Sequence, residues 1–79
     1  MPRYFLHVRD GRDYPDDQGV ELPDLDAAKT YAVQQFAHLL ASRAATRWNG
    51  EELTMDVKSP AGLILFSLFF MGVEAQTGA

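Results

Sequence analysis

Leu53-Thr54-Met55-Asp56-Val57, the turn Lys58-Ser59-Pro60-Ala61-Gly62 and the run Leu63-Ile64-Leu65-Phe66-Ser67-Leu68-Phe69-Phe70-Met71 together decide the fold. The first segment alternates. Leu53, Met55 and Val57 fall on one side and Thr54, Asp56 and Lys58 on the other, as in a strand with one wet face. The second hardly alternates: Ile64, Phe66, Leu68 and Phe70 share one face while Leu63, Leu65 and Phe69 take the opposite one. Such a strand needs apolar cover on both sides. One cover is the chain's own core. The other has to come from elsewhere, and this makes Leu65, Ser67 and Phe69 candidate interface residues.

Upstream of this hairpin lies the segment expected to supply the first cover. Asp24 is a good N-cap, Asp26 places a carboxylate where the helix dipole favours one, and an alanine-rich amphipathic stretch follows. The pattern predicts a helix from about Leu25 to Arg47. Leu25, Ala28, Ala32, Phe36, Leu39 and Leu40 form its apolar stripe with Val33 at the margin, and Gln34, His38, Ala41 and Ala45 lie opposite. Asn49-Gly50 suits a left-handed C-terminal cap, with Trp48 folding over the end of the core.

At the N-terminus, Arg3 to Arg9 reads as a strand with Tyr4, Leu6 and Val8 facing the core and Phe5, His7 and Arg9 facing out. Asp10-Gly11 suits a two-residue hairpin turn that returns the chain as a short edge strand over Arg12 to Tyr14. Asp16-Asp17-Gln18-Gly19 is a second turn, and Val20-Glu21-Leu22 is at most a stub of extended chain before Pro23. The expected fold is α+β: an antiparallel sheet of three to four strands with one long helix packed on one face, in β(β)αββ order. Its outer face carries Phe5, His7, Thr54, Asp56, Lys58, Leu65, Ser67 and Phe69, a mixed surface with an apolar centre. Residues 1–79 form a single domain, with 76–79 expected to be a frayed tail.

Composition narrows the function classes. A chain of 79 residues is near the size at which one core supplies only about 3 to 5 kcal/mol, so a partner would help. The net charge of -4 repels nucleic acid and anionic membrane, and neither is expected as a partner. With no cysteine there is no disulfide, thiol nucleophile or cysteine-based metal site. The start Met1-Pro2-Arg3-Tyr4-Phe5-Leu6 reads as a strand rather than a secretory signal, and the apolar stretch Ala61 to Val73 is too short to span a bilayer as a helix. A cytoplasmic location is expected.

The opening Met1-Pro2-Arg3-Tyr4-Phe5-Leu6-His7-Val8-Arg9-Asp10-Gly11, the later Asp17-Gln18-Gly19-Val20-Glu21-Leu22-Pro23-Asp24-Leu25-Asp26-Ala27-Ala28 and the closing hairpin resemble a family of short proteobacterial proteins of unknown function, common in rhizobia. The likeness rests on a start similar to P-R-Y-F-F-H-x-x-D-G, a G-x-E-L-P-D-L-x-x-A helix start and a D-x-x-G-x-x-L hairpin. It covers nearly the whole chain. Leu6 stands where an aromatic residue is more typical. The resemblance implies a small bacterial cytosolic protein with an accessory or regulatory role, and brings no catalytic residues with it.

The chemistry-bearing side chains have plain structural explanations. Asp10, Asp13, Asp16, Asp17, Glu21, Asp24 and Asp26 could attract a hard cation, but their spacing is not that of a calcium loop, and aspartate is common at turns and caps. His7 and His38 lack a partner at ligand spacing, so His7 reads as a surface or interface residue and His38 as part of the solvated helix face. Ser42, Ser59 and Ser67 sit in no nucleophile-elbow context. No cofactor is called for. The expected molecule is a non-enzymatic homodimeric module whose sheets pair face to face or edge to edge, with another protein as a further partner. The alternative is a monomer whose outer sheet face, centred on Phe5, Leu65 and Phe69, binds a protein or peptide. A third reading is a small metal protein or enzyme that uses the acidic loop with His7.

Overall fold

The computed structural model describes residues 1–43 and 49–75. Its elements are β1 (Arg3–Arg9), β2 (Asp13–Tyr14), β3 (Val20–Glu21), α1 (Leu25–Ser42), β4 (Asn49–Lys58) and β5 (Ile64–Val73). The fold is α+β: one helix packs on one face of a five-stranded antiparallel sheet. The sheet runs β2-β1-β4-β5, and β3 also pairs with β1. The strand count reaches five because the stub at Val20 pairs with Tyr4, and Glu21 with Arg3.

The register sets the faces. Leu6, Val57 and Phe66 lie in one cross-strand row, Val8, Met55 and Leu68 in the next, and Leu53 opposes Phe70. All of these turn toward α1, whose Ala28, Ala32 and Phe36 are buried with Tyr4, Leu53, Met55 and Val57 in the core. The two small alanines leave no side-chain bulk between helix and sheet, so the backbone of α1 can come close and Phe36 fills the space further along. Alternation in Leu53 to Val57 thus marks the centre of the molecule, because β4 is flanked by strands on both sides.

The N-cap is as expected: the Asp24 carboxylate accepts from Ala27 N at 2.8 Å. The other end differs. The described helix ends at Ser42 with Arg43 as C-cap, the expected continuation to Arg47 lies outside the described residues, and Asn49 and Gly50 belong to β4 rather than to a helix cap. Strand pairing there, with Asn49 opposite Val73, outweighs the turn propensity of the Asn-Gly pair. The readings for Trp48, Ala45 and the 76–79 tail lie outside the described residues. Leu25 is 41% exposed instead of joining the buried stripe, which begins one turn later at Ala28. The β1–β2 connection holds three residues, Asp10 to Arg12, rather than two, as Arg9 pairs with Asp13.

One further correction concerns Ile64. Val57 opposes Phe66 but Lys58 opposes Ile64, so Leu65 is an extra residue on β5. This bulge reverses the parity, and Ile64 joins the outer face instead of the helix face. The loop after Lys58 is tied by Gly62 N donating to Ser59 O at 2.9 Å and Ser59 N donating to Leu63 O at 2.9 Å. Pro60 at the second turn position provides the φ that this geometry needs.

The two borders of the sheet are unlike. On β1, Leu22 N donates to Pro2 O, β3 pairs at Tyr4, Leu6 N donates to Asp16 Oδ2 at 3.1 Å, and β2 pairs at Val8. Pro2, Tyr4, Leu6 and Val8 have one parity, so a single edge of β1 is covered by two strand stubs and a carboxylate between them. At the other border, β5 has no outer partner among the described residues.

Candidate functional site

The outer face is built of three cross-strand rows. Phe5, Lys58 and Ile64 form the first, His7, Asp56 and Ser67 the second, and Arg9, Thr54 and Phe69 the third, with Met71 beyond them opposite Glu52. The middle of this face is polar. Asp56 is only 8% exposed, and it accepts from Ser67 Oγ at 2.7 Å and pairs with Arg9 Nη2 at 3.2 Å. A buried carboxylate requires such partners, since an unpaired one costs several kcal/mol.

The candidate interface residues therefore separate into two places. Phe5, half-buried, lies on the β1 side, near Gly19, while Leu65 (37% exposed) and Phe69 (70% exposed) lie on β5. His7 and Ser67 stand between them on either side of Asp56. The expected apolar centre is absent from this face; its apolar part is its β5 border. The composition of the middle row also bears on chemistry. Ser67 donates to the Asp56 carboxylate, which is itself paired with Arg9, and His7 is two strands away from Ser67, about 10 Å across the sheet.

The acidic segment has separate structural duties. Asp16 accepts from Gln18 N and Gly19 N through Oδ1, both at 3.0 Å, and from Leu6 N through Oδ2. Burial alone would raise its pKa, but the three N–H donors, helped by nearby His7, together hold it below the ordinary value for an aspartate. Glu21 pairs with Arg3 at 2.9 Å, Asp10 with Arg43 at 2.6 Å, and Asp24 caps α1. Among the described residues no group of three or more His, Asp or Glu side chains gathers where it could hold a metal.

Hollows open on both sides of the sheet. One, of about 480 Å³, opens on the outer face between His7, Arg9, Tyr14, Asp56, Lys58 and Ile64. Another, of about 460 Å³, lies where α1 leaves the β1 side of the sheet uncovered, with Leu6, Val8 and Met55 among the residues beneath and Tyr31, Gln35 and His38 on the helix flank. His38 is exposed there, as its helix face implied.

The sequence understated the β5 border. Met71, Val73 and Ile64 are 48%, 66% and 52% exposed and join Leu65 and Phe69, beyond the residues that the sequence pattern assigns to this face. The parity of Met71 with Phe69 was a usable signal for the first; the bulge hid the third. Asp56, read as one residue of a wet strand face, is instead the buried centre of that face.

Fold and surface together define a small single-sheet α+β domain with one helix-covered face and one apolar strand that has no outer partner among the described residues. The chain belongs to the family described as domain of unknown function DUF6894, whose model matches residues 3–71. No curated protein and no solved structure matches it. Among the described residues no helix is long and apolar enough to cross a membrane.

Proposed function

We propose that this chain is a non-enzymatic homodimeric module with an accessory or regulatory role, and that β5 is the element through which it associates. The observation that carries this reading is where the large exposed apolar side chains lie. Leu63, Ile64, Leu65, Phe69, Met71 and Val73 all come from β5 and the residue before it, whereas Met1, Tyr14, Leu25 and Val33 are scattered. Concentrated apolar exposure of this kind marks an association site. A symmetric dimer is the commonest way to cover it, and a domain this small gains stability from the added burial. A bacterial, cytoplasmic setting accords with the resemblance of the opening and helix-start motifs, and the net charge of -4 disfavours nucleic acid as a partner.

The test is the double variant Leu65→Glu with Phe69→Glu. Neither residue is in the core, so the variant should keep the wild-type circular dichroism spectrum and elute as a monomer while the wild type elutes as a dimer. A folded double variant that remains dimeric would remove β5 from the interface, and an unfolded one would show these side chains to be structural.

A further inference from the structure

The hairpin end of the outer face carries a hollow of about 210 Å³, lined by Phe5, His7, Lys58, Ser59, Pro60 and Gly62. No carboxylate is in that lining. In a chain of net charge -4, a depression walled by a lysine, a histidine and a hydroxyl with no acid among them offers a negative group donors and no opposing charge. His7 and Lys58 also line the larger hollow beside it, but there Asp13 and Asp56 stand with them. The smaller hollow is the one suited to an anion.

Lys58 gives the hollow its chemistry. Its side chain is half-buried, and none of the ion pairs among the described residues engages it: Arg3 is matched by Glu21, Arg9 by Asp56 and Arg43 by Asp10. Lysine seldom gives up water without a partner. Two carboxylates lie close to His7, and both are already engaged. Asp56, opposite His7 in the sheet, accepts from Ser67 and pairs with Arg9, and Asp16, whose charge interacts with His7, accepts from Leu6 N, Gln18 N and Gly19 N.

Two further donors stand beside the lysine. Ser59 Oγ accepts from Leu63 N at 3.2 Å, which leaves its hydroxyl hydrogen to donate, and the Ser59–Leu63 and Gly62–Ser59 backbone bonds fix the turn that carries it. His7 keeps an N–H donor in either protonation state. The rest of the lining is apolar. The Phe5 ring is held by its close approach to Gly19, where a Cβ would stand 3.0 Å from it, so both kinds of wall are in place before a ligand arrives.

We propose that this hollow binds a small organic monocarboxylate with an apolar body, its carboxylate on Lys58, Ser59 and His7 and its body against Phe5 and Pro60. A free inorganic anion would leave Phe5 and Pro60 without a contact, and a dicarboxylate would bring a second charge to a lining with one lysine and no arginine. The volume is below the roughly 300 Å³ at which pockets for drug-sized ligands begin, which limits the occupant to one ring or a short branched chain. Leu65 and Phe69 take no part in the lining, so the site does not rest on the dimer reading.

The test is a titration of the full ¹⁵N-labelled chain with phenylacetate, followed by amide chemical shifts, with phenylacetamide and inorganic phosphate as comparators at the same pH and ionic strength. Saturable shifts at His7, Lys58, Ser59 and Gly62 are expected with phenylacetate, with a Kd on the order of 0.1 to 1 mM. Each comparator should bind about ten-fold more weakly or worse. Lys58→Met should weaken phenylacetate by a similar factor, whereas Lys29→Met, which removes the same charge from an exposed helix position, should leave it within about two-fold. Phosphate binding as well as phenylacetate would overturn the apolar subsite, and phenylacetamide binding as well would overturn carboxylate recognition. Unchanged affinity in a folded Lys58→Met, saturable shifts confined to other residues, or none at all would overturn the site. The ligand comparison is made on the wild-type chain, so it decides the matter whether or not Lys58→Met folds, and it reads the same in a monomer or a dimer.

Discussion

Gly19 is the position where one added methyl group should do the most damage. Its φ is +71°, and a Cβ there would stand 2.9 Å from Tyr4 O and from Arg3 Cγ. Gly11 has the same φ with nothing within 4 Å of the corresponding point, which makes it a control for backbone strain alone. Gly11→Ala should cost about 1 kcal/mol and Gly19→Ala about 2 to 4 kcal/mol, a difference that denaturant titration of the two variants will show. Asp16 offers a pH test at the same turn. Its folded pKa lies below the ordinary value for an aspartate, so the stability it contributes is complete above the unfolded value and is lost as pH falls through the folded one. The gap in stability between wild type and Asp16→Asn should therefore stay constant from about pH 7 to 5 and shrink below about pH 4; a gap that widens in acid would contradict this. The sequence showed Asp16 as a turn residue, because Asp-x-x-Gly is local chemistry. It could not show Leu6 as the third donor, ten residues away in the chain, nor Asp56 as buried, since both depend on which strands become neighbours.

The helix and the last strand divide the work of the fold. α1 depends on Phe36, the one large buried side chain that it gives the core. Phe36→Ala should cost about 3 to 5 kcal/mol, comparable with the roughly 3 to 5 kcal/mol that a core of this size supplies. The variant should be largely unfolded by circular dichroism at 25 °C, whereas Phe36→Leu should retain a cooperative melt at a lower Tm. A native melt for Phe36→Ala would mean that the helix is held by something other than this packing. Asp24→Ala, which removes only the cap, should cost about 1 kcal/mol. The positions of α1, β1 and the hairpin were legible because each rests on period or capping within a single segment. Boundaries set by pairing were not. Asn49-Gly50 has the chemistry of a helix cap and yet lies in β4, because β5 runs long enough to pair with it. Ile64 changes face at a bulge that no strict alternation can show.

For the molecule as a whole, the decisive asymmetry is between its two sheet borders, one closed by β2, β3 and Asp16, the other left to β5. The composition of Leu63 to Met71 already showed a strand with apolar groups on both faces. Its place at the border, and the polar middle of the outer face beside it, emerged only from the strand order, and together they turn a general expectation of association into a particular surface. The central claim is that this surface is covered by a second copy. Light scattering of the purified wild-type protein across a dilution series measures it most directly. The account predicts a mass of twice 8.8 kDa at high concentration, falling toward the single-chain value only on dilution. A mass of 8.8 kDa at every concentration would contradict it.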